Sequence, residues 1–230
     1  MVIFKVFCAL FVFANIFPSI YAYNEAKDMS IKLTPPSFKT ENLKVLLEKR
    51  YSCRSFQAKA LSLEDIANIL WATCGKKYDA ITGASRTIPT AGATYPLEIY
   101  IVAGNGSIDK LKAGVYHYLI EGHALEAILD QDKRAELAEA CLGQNFIKEA
   151  PVSLVIAAKF IRTTRRYGTR GERYVYMEAG HACQNAYLAV TNLGLNTVEV
   201  GAFVDAAVIK VLGLDKDCIP LGVMPIGYTK

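Results

Sequence analysis

The chain has few of the residues that mark hydrolytic and metal chemistry. It carries three histidines in 230 residues. None of His117, His123 and His181 stands near a plausible nucleophile, and neither a Gly-x-Ser-x-Gly elbow nor a His-Glu-x-x-His run occurs, so a hydrolase finds no machinery here. Six cysteines are present, but Cys8 lies in the N-terminal apolar stretch. The others, Cys53, Cys74, Cys141, Cys183 and Cys218, are scattered through apolar contexts that suit small buried thiols better than a disulfide framework. A net charge of +4 gives no reason to invoke nucleic acid or an anionic membrane surface. No Ser/Gly/Pro-rich linker, fixed-period repeat or low-complexity tract divides the chain after its N-terminal segment, which argues for one domain.

What is present begins with that segment. Met1 to Ala22 has Lys5, an apolar run from Val6 to Phe17 broken only by Asn15, then Pro18, Ser19 and Ala22. This is the layout of a secretory signal peptide cut after Ala22, which predicts a secreted or periplasmic mature chain with no membrane attachment. A retained anchor is the competing reading, because Val2 to Ala22 could nearly span a bilayer; Lys5, Asn15 and Pro18 favour cleavage. Residues 23–39, with Pro35 and Pro36, read as an extended arm, and residues 40–230 as the folded domain.

Within the domain, Leu43, Leu46 and Leu47 fall at helical spacing and predict a helix ending at Lys49. A second helix runs from Leu63 to Thr73, opened by a Ser62/Asp65 capping box and stopped by Gly75, with Trp71 expected in the core. Leu97 to Ala103 reads as a strand, and the Gly104-x-Gly106 after it lacks the third glycine of a dinucleotide fingerprint. Val115 to Leu119 and Ala124 to Leu129 read as a hairpin with His117 and His123 on exposed ground. Asp130 is expected to cap a helix with Leu137, Cys141 and Leu142 inward. Val152 to Ala158 is the most continuous apolar strand and the candidate centre of the sheet.

The basic run Lys159, Arg162, Arg165, Arg166, Arg170 and Arg173 reads as a loop, either simply solvated or a cationic rim that steers an anionic reactant. Its sparse aromatic residues do not suit nucleic acid. The longest helical pattern, Glu172 to Leu193, has a small-residue face at Ala179, Ala182, Cys183 and Ala186 that would let another helix come close. Thr197 to Gly201, Asp205 to Leu212 and Ile219 to Ile226 complete the set as strand, helix and strand. Long helices and strands without strict βαβ repetition predict an α+β fold.

Three stretches carry the chemistry. Arg50-Tyr51-Ser52-Cys53-Arg54 offers two guanidinium forks around a hydroxyl, a set suited to a phosphate and equally to a solvated helix end. Pro89-Thr90-Ala91-Gly92-Ala93-Thr94-Tyr95-Pro96 is a loop of small residues. Val200-Gly201-Ala202-Phe203 is a late glycine turn. In this order and spacing they resemble the FMN-dependent nitroreductase family, and more closely its azoline-dehydrogenase-like (SagB-type) branch, over residues 40–230.

The resemblance implies a nitroreductase-like α+β fold with a mixed or antiparallel sheet flanked by helices, and a homodimer built on the long Glu172 to Leu193 helix, with the N-terminal arm wrapping the partner. It also implies an FMN cofactor with Arg50, Ser52 and Arg54 at the phosphate and ribityl end and Tyr51 beside them. Pro89, Thr90, Ala91 and Gly92 would pass along the ring edge, and the Val200, Gly201 and Ala202 amides would face N5. The implied reaction is a ping-pong transfer from NAD(P)H to a nitroaromatic, quinone or related small acceptor, or in the azoline branch the reverse flow into FMN. Tyr51 departs from the arginine or histidine common in the family, Val198 stands where many relatives have proline, and the chain stops at Lys230 without the family's late lysine and arginine. Phosphate charge would then rest on Arg50 and Arg54, with Lys230 as a substitute. A non-redox binding protein on the same scaffold is the alternative.

Overall fold

The computed structural model describes residues 30–38, 42–80 and 83–230. The expected signal peptide, Met1 to Ala22, and the start of the arm lie outside the described residues. In chain order the elements are β1 (Ile31–Lys32), α1 (Leu43–Lys49), α2 (Leu63–Cys74), β2 (Lys76–Asp79), β3 (Gly83–Arg86), β4 (Leu97–Ala103), β5 (Gly114–Leu119), β6 (Ala124–Leu129), α3 (Arg134–Ala140), α4 (Phe146–Glu149), β7 (Val152–Lys159), α5 (Ile161–Tyr167), α6 (Arg170–Asn192), β8 (Asn196–Thr197), α7 (Asp205–Leu212) and β9 (Cys218–Gly227).

One sheet of seven strands, ordered β1-β6-β5-β4-β7-β9-β8, is antiparallel throughout its ladders, and β2-β3 is a separate hairpin. Helices cover both faces, an α+β architecture. Because side chains alternate across a strand, Ile99, Ile101, Leu154, Ile156 and Met224 enter the layer under α2 and α6. Tyr100, Val102, Val155 and Val223 enter the opposite layer with Leu137, Val208 and Leu212 of α3 and α7. Ile101 and Leu154 pair across β4 and β7 and are fully buried; each such side chain contributes about 1.5–3 kcal/mol. The residue pattern of β7 predicts a central strand; it is an interior strand between β4 and β9, one place from the middle, which β4 holds.

The capping box opens α2 as expected: Ser62 Oγ accepts the Asp65 N–H at 3.0 Å, and Asp65 accepts the Ser62 N–H at 3.0 Å. Ile66, Ile69 and Leu70 are buried, but Trp71 is not a core residue. It sits half-buried at the helix end because its indole N–H reaches out to Lys76 O at 3.0 Å. His117 and His123 are likewise not on exposed ground. His117 stacks on Tyr100 and lies 2.7 Å from Glu98, while His123 bridges Tyr118 and Thr34 O.

Four further expectations are corrected. Asp130 does not cap α3: Lys133 stands at its start without a side-chain cap, and Asp132 just before it takes the Arg134 N–H and grips the Arg134 guanidinium. Leu142 points to solvent, on a backbone with φ 59 just past the helix. The basic run is no loop: Ile161–Tyr167 is helical, anchored through Arg162 and Arg166 to the segment before β4. Regular pairing from Thr197 also stops sooner than predicted, because Val200 meets β9 only as an isolated bridge.

The five described cysteines are all buried and unbridged, and burial pushes the Cys74 thiol up to about 12. The described part of the arm docks on its own chain, with Ile31 and Lys32 pairing against β6 and the Leu33 N–H donating to His123 O. Helix α6 is 23 residues long, about 34 Å at 1.5 Å per residue. Its small-residue face, Ala179, Ala182, Cys183 and Ala186, is consumed by α2 and the sheet of the same chain. The opposite stripe, Arg173, Met177, Gly180, His181 and Gln184, faces solvent. No helix of the described residues is long and apolar enough to cross a membrane.

Candidate functional site

Arg50 ends α1: its N–H closes the last turn on Leu46 O at 3.0 Å and its backbone turns extended. The chain then runs beside β8, where Ser52 bridges Thr197 in parallel and the Cys53 N–H donates to Thr197 O at 2.9 Å. This register sets the Arg50 guanidinium 5.1 Å above the Tyr187 ring and Ser52 Oγ 3.4 Å from Tyr187 Oη. Tyr187 in turn accepts the Glu199 N–H at 2.7 Å. Tyr51 Oη lies 3.1 Å from Thr229 Oγ1, and Arg54 is exposed. Thr197 contributes a buried hydroxyl with no protein partner. One guanidinium and a serine hydroxyl therefore stand at Tyr187, with the exposed Arg54 on the same short stretch, a donor set that fits a phosphorylated polyol. Lys230 is held elsewhere, its ammonium 3.0 Å from Glu149.

The late glycine turn joins the same region through Thr197 and Glu199. The Val200 N–H is already spent on Val223 O at 2.8 Å, so the free amides of this turn are those of Gly201 and Ala202. Both residues are exposed, and a Cβ built on Gly201 would meet nothing within 4 Å. A flat ligand can therefore approach this backbone closely.

Pro89, Thr90, Ala91 and Gly92 lie at a different place, against the first half of α6, beside Tyr174, Met177 and His181. Helix α5 shapes them. Arg166 donates to Gly92 O at 2.9 Å, and Thr94 and Thr163 hydroxyls meet at 2.8 Å. Gly92 has φ 58, and a Cβ there would stand 2.4 Å from Tyr167 Oη. Ala93 and Tyr95 also hold positive φ, at 54 and 47, which costs about 1–2 kcal/mol each. Along α6, the loop's neighbour Glu178 and the phosphate-end residue Tyr187 are separated by about 13 Å at 1.5 Å per residue. The phosphate-end stretch and the glycine turn thus converge within one chain, and the small-residue loop stands apart from them.

Sequence reasoning missed Tyr187, Thr197 and the loop-shaping pair Arg166 and Tyr167. It also missed Glu178, although a signal existed: Glu178 falls on the buried stripe that includes Val175, Ala179, Ala182 and Ala186. Both its carboxylate oxygens are buried without a partner. They face the Thr90 hydroxyl and the Ala91 N–H without closing a hydrogen bond to either. Burial raises the Glu178 carboxyl to about 7 against these dipoles and Arg86. Glu98 shows the opposite outcome. Burial pushes it up, but His117 and Arg162 together hold it below the usual carboxylate range. No metal-binding cluster of His, Cys, Asp or Glu occurs among the described residues.

A seven-stranded antiparallel sheet between helical layers thus carries arginine and hydroxyl donors near Tyr187 and a tight glycine loop beside the long helix. The profile described as "Nitroreductase family" matches residues 47–228, and the chain belongs to that family. It is 44% identical over 199 residues to the Methanocaldococcus jannaschii protein named "Putative nitroreductase MJ1384", spanning 86% of this chain and 96% of that one. It is 30% identical over 134 residues to the Escherichia coli "Microcin B17-processing protein McbC", spanning 57% of this chain and 49% of McbC. Among solved structures, a nitroreductase-type protein from Anabaena variabilis superposes with a TM-score of 0.76 at 26% identity, over 94% of this chain and 45% of that one. Family membership supports an oxidoreductase-like function, and the family is generally flavin-dependent.

Proposed function

We propose that this chain is an FMN-dependent oxidoreductase that takes hydride from NAD(P)H and passes electrons to a nitroaromatic, quinone or related small acceptor. The observation that carries the reading is the pair of donors held at Tyr187, Arg50 over its ring and Ser52 at its hydroxyl, with Arg54 exposed two residues further along the same stretch and the buried, unpartnered Thr197 hydroxyl beneath it. Bound FMN would supply a ring that accepts and returns a hydride at N5. Arg50 and Arg54 would bind its phosphate, each charged hydrogen bond contributing roughly 1.5–3 kcal/mol. Ser52 would hold the ribityl hydroxyls, and the Gly201 and Ala202 amides would orient the ring near N5.

The loop Pro89–Gly92 completes the picture best in a homodimer. Because it lies about 13 Å along α6 from Tyr187, antiparallel pairing of the exposed α6 stripe across a twofold axis would bring one chain's loop toward the other's donor set. Exposed Leu43, Leu47, Tyr176 and Met177 would be covered in the same step. The similarity to McbC supports a second reading, in which an azoline is oxidised and electrons flow into FMN. On the strength of Met1 to Ala22, we place the mature chain outside the cytoplasm, a reading that amino-terminal sequencing of the exported protein tests.

The test is the visible absorption spectrum after FMN is supplied and the excess removed by gel filtration. Flavin bands should co-elute, bleach with NADPH or NADH, and return with an acceptor. Arg50→Ala should lose the bands while keeping its far-UV circular dichroism; retained flavin would refute the phosphate assignment, and a colourless unmodified protein would refute the flavin reading.

A further inference from the structure

The basic run ahead of the long helix carries charge that the fold leaves unanswered. Lys159 is matched by Asp215 at 2.7 Å, and Arg162 by Glu98. Arg165, Arg166, Arg170 and Arg173 are exposed and enter no ion pair among the described residues. The acids between Phe160 and His181 are Glu172 and Glu178, and the Glu178 oxygens are buried. Arg165 and Arg166 stand in the last turn of α5, where the helix dipole favours a cation. Arg170 is the first residue of α6, where the dipole disfavours one. A charge set against its local preference, with no partner to compensate it, is a mark of function.

Two of these arginines are mounted on one pair of rings. Tyr167 and Tyr174 meet edge to face, with 5.1 Å between centroids and 88° between planes. Arg166 lies 5.5 Å over Tyr167, and Arg170 lies 5.8 Å over Tyr174. Both stand at the rim of the small-residue loop. Arg166 donates to Gly92 O at 2.9 Å. Tyr174, under Arg170, lines a pocket of about 210 Å³ together with Pro89, Thr90, Ala91, Met177 and His181. Arg166 spends one N–H group on the loop, and Arg170 makes no side-chain hydrogen bond among the described residues. Planar forks with donors to spare, oriented by aromatic faces, suit a cluster of anionic oxygens. A phosphate monoester, with nearly two negative charges at neutral pH and three acceptor oxygens, uses them better than a carboxylate does.

Taking the nicotinamide donor of the proposed function as given, we propose that Arg166 and Arg170 bind the 2′-phosphate on the adenosine of NADPH at the outer rim of the loop pocket, so that the chain selects NADPH over NADH. The pyrophosphate is common to both donors and cannot discriminate between them. The extra monoester can, because it alone adds a dianion for these forks. Arg173 is left out of the site, since it lies on the α6 stripe that the dimer would cover.

Isothermal titration calorimetry of the full chain at pH 7.5 compares adenosine 2′,5′-bisphosphate with adenosine 5′-monophosphate, and neither probe needs the flavin. The bisphosphate should bind about tenfold more tightly or better. Arg170→Gln should remove most of that preference while keeping the far-UV spectrum, because Arg170 meets the fold only through the Tyr174 ring. Lys210→Gln takes the same charge from α7, on the other side of the sheet, and should leave the preference unchanged. Equal binding of the two nucleotides would overturn the proposal. So would an undiminished preference in Arg170→Gln, or an equal loss in both variants, which would mean a diffuse field and no site. With FMN supplied, the ratio of kcat/KM for NADPH to that for NADH should fall in Arg170→Gln by the factor seen in calorimetry. Arg50→Ala, expected to lose the flavin, should keep the nucleotide preference. A colourless chain that still discriminates the nucleotides would refute the flavin reading and uphold the phosphate site; a flavin-loaded chain that does not would refute the phosphate site alone.

Discussion

Glu178→Gln should make the folded chain more stable, and by an amount that depends on pH. In the unfolded chain this carboxyl titrates near its ordinary 4.5, whereas burial raises it to about 7 in the fold. The folded state therefore holds a proton that the unfolded state releases between those values, and stability falls as pH rises through the window. At about 1.4 kcal/mol per pH unit, ionising Glu178 inside the fold costs about 3 kcal/mol. The cost is absent well below pH 4.5 and fully present above pH 7. Glutamine keeps the shape and cannot ionise. Urea unfolding followed by the fluorescence of Trp71, the single tryptophan, at pH 5 and pH 8 should show the gap between variant and parent widening by about 2–3 kcal/mol at the higher pH. An equal gap at both pH values would mean that the carboxylate has a partner in the folded protein, and the reasoning from its isolation would fail.

Gly92→Ala should destabilise by about 1–2 kcal/mol from the left-handed backbone alone, with a further loss from the clash with Tyr167 Oη. Pairing it with Tyr167→Phe should recover only the steric part, as read from the urea midpoint. Ser62→Ala removes one half of the α2 capping box and should cost about 1 kcal/mol, lowering Tm by about 2–4 °C for a domain of this size. Met177→Glu, on the exposed α6 stripe, should shift the solution mass from dimer toward monomer in sedimentation; an unchanged dimer would move the interface off this helix.

The sheet and the long helices were legible because their signals are local and repeated. Leu97 to Ala103 and Asp205 to Leu212 matched to the residue, and Ser62 with Asp65 announced a helix start that the side chains then made. The misreadings share a cause: a polar side chain found a distant partner that spacing cannot show. Arg162 and Arg166 turned a basic stretch into a helix tied to β4 and its preceding loop, Trp71 left the core for Lys76 O, and His117 was drawn in by Glu98. The Arg50–Arg54 stretch was visible as a chemical set. Its companions Tyr187 and Thr197 were not, because only the parallel bridge between Ser52 and Thr197 brings them there. Val200 was read as a free amide since nothing in sequence reveals that Val223 takes its N–H.

The place of β7 between β4 and β9 has a kinetic consequence. Its partners lie roughly fifty residues before it and sixty after it, and between them they cover a strand buried from Val152 to Ala158. Such distant pairings make refolding slow, on the order of milliseconds to seconds or longer. Until β9 arrives, one edge of the most apolar strand stays unpaired and competes for other chains in the same condition. Recovery from urea should therefore fall as protein concentration rises, and should improve most when β9 is the strand that is strengthened.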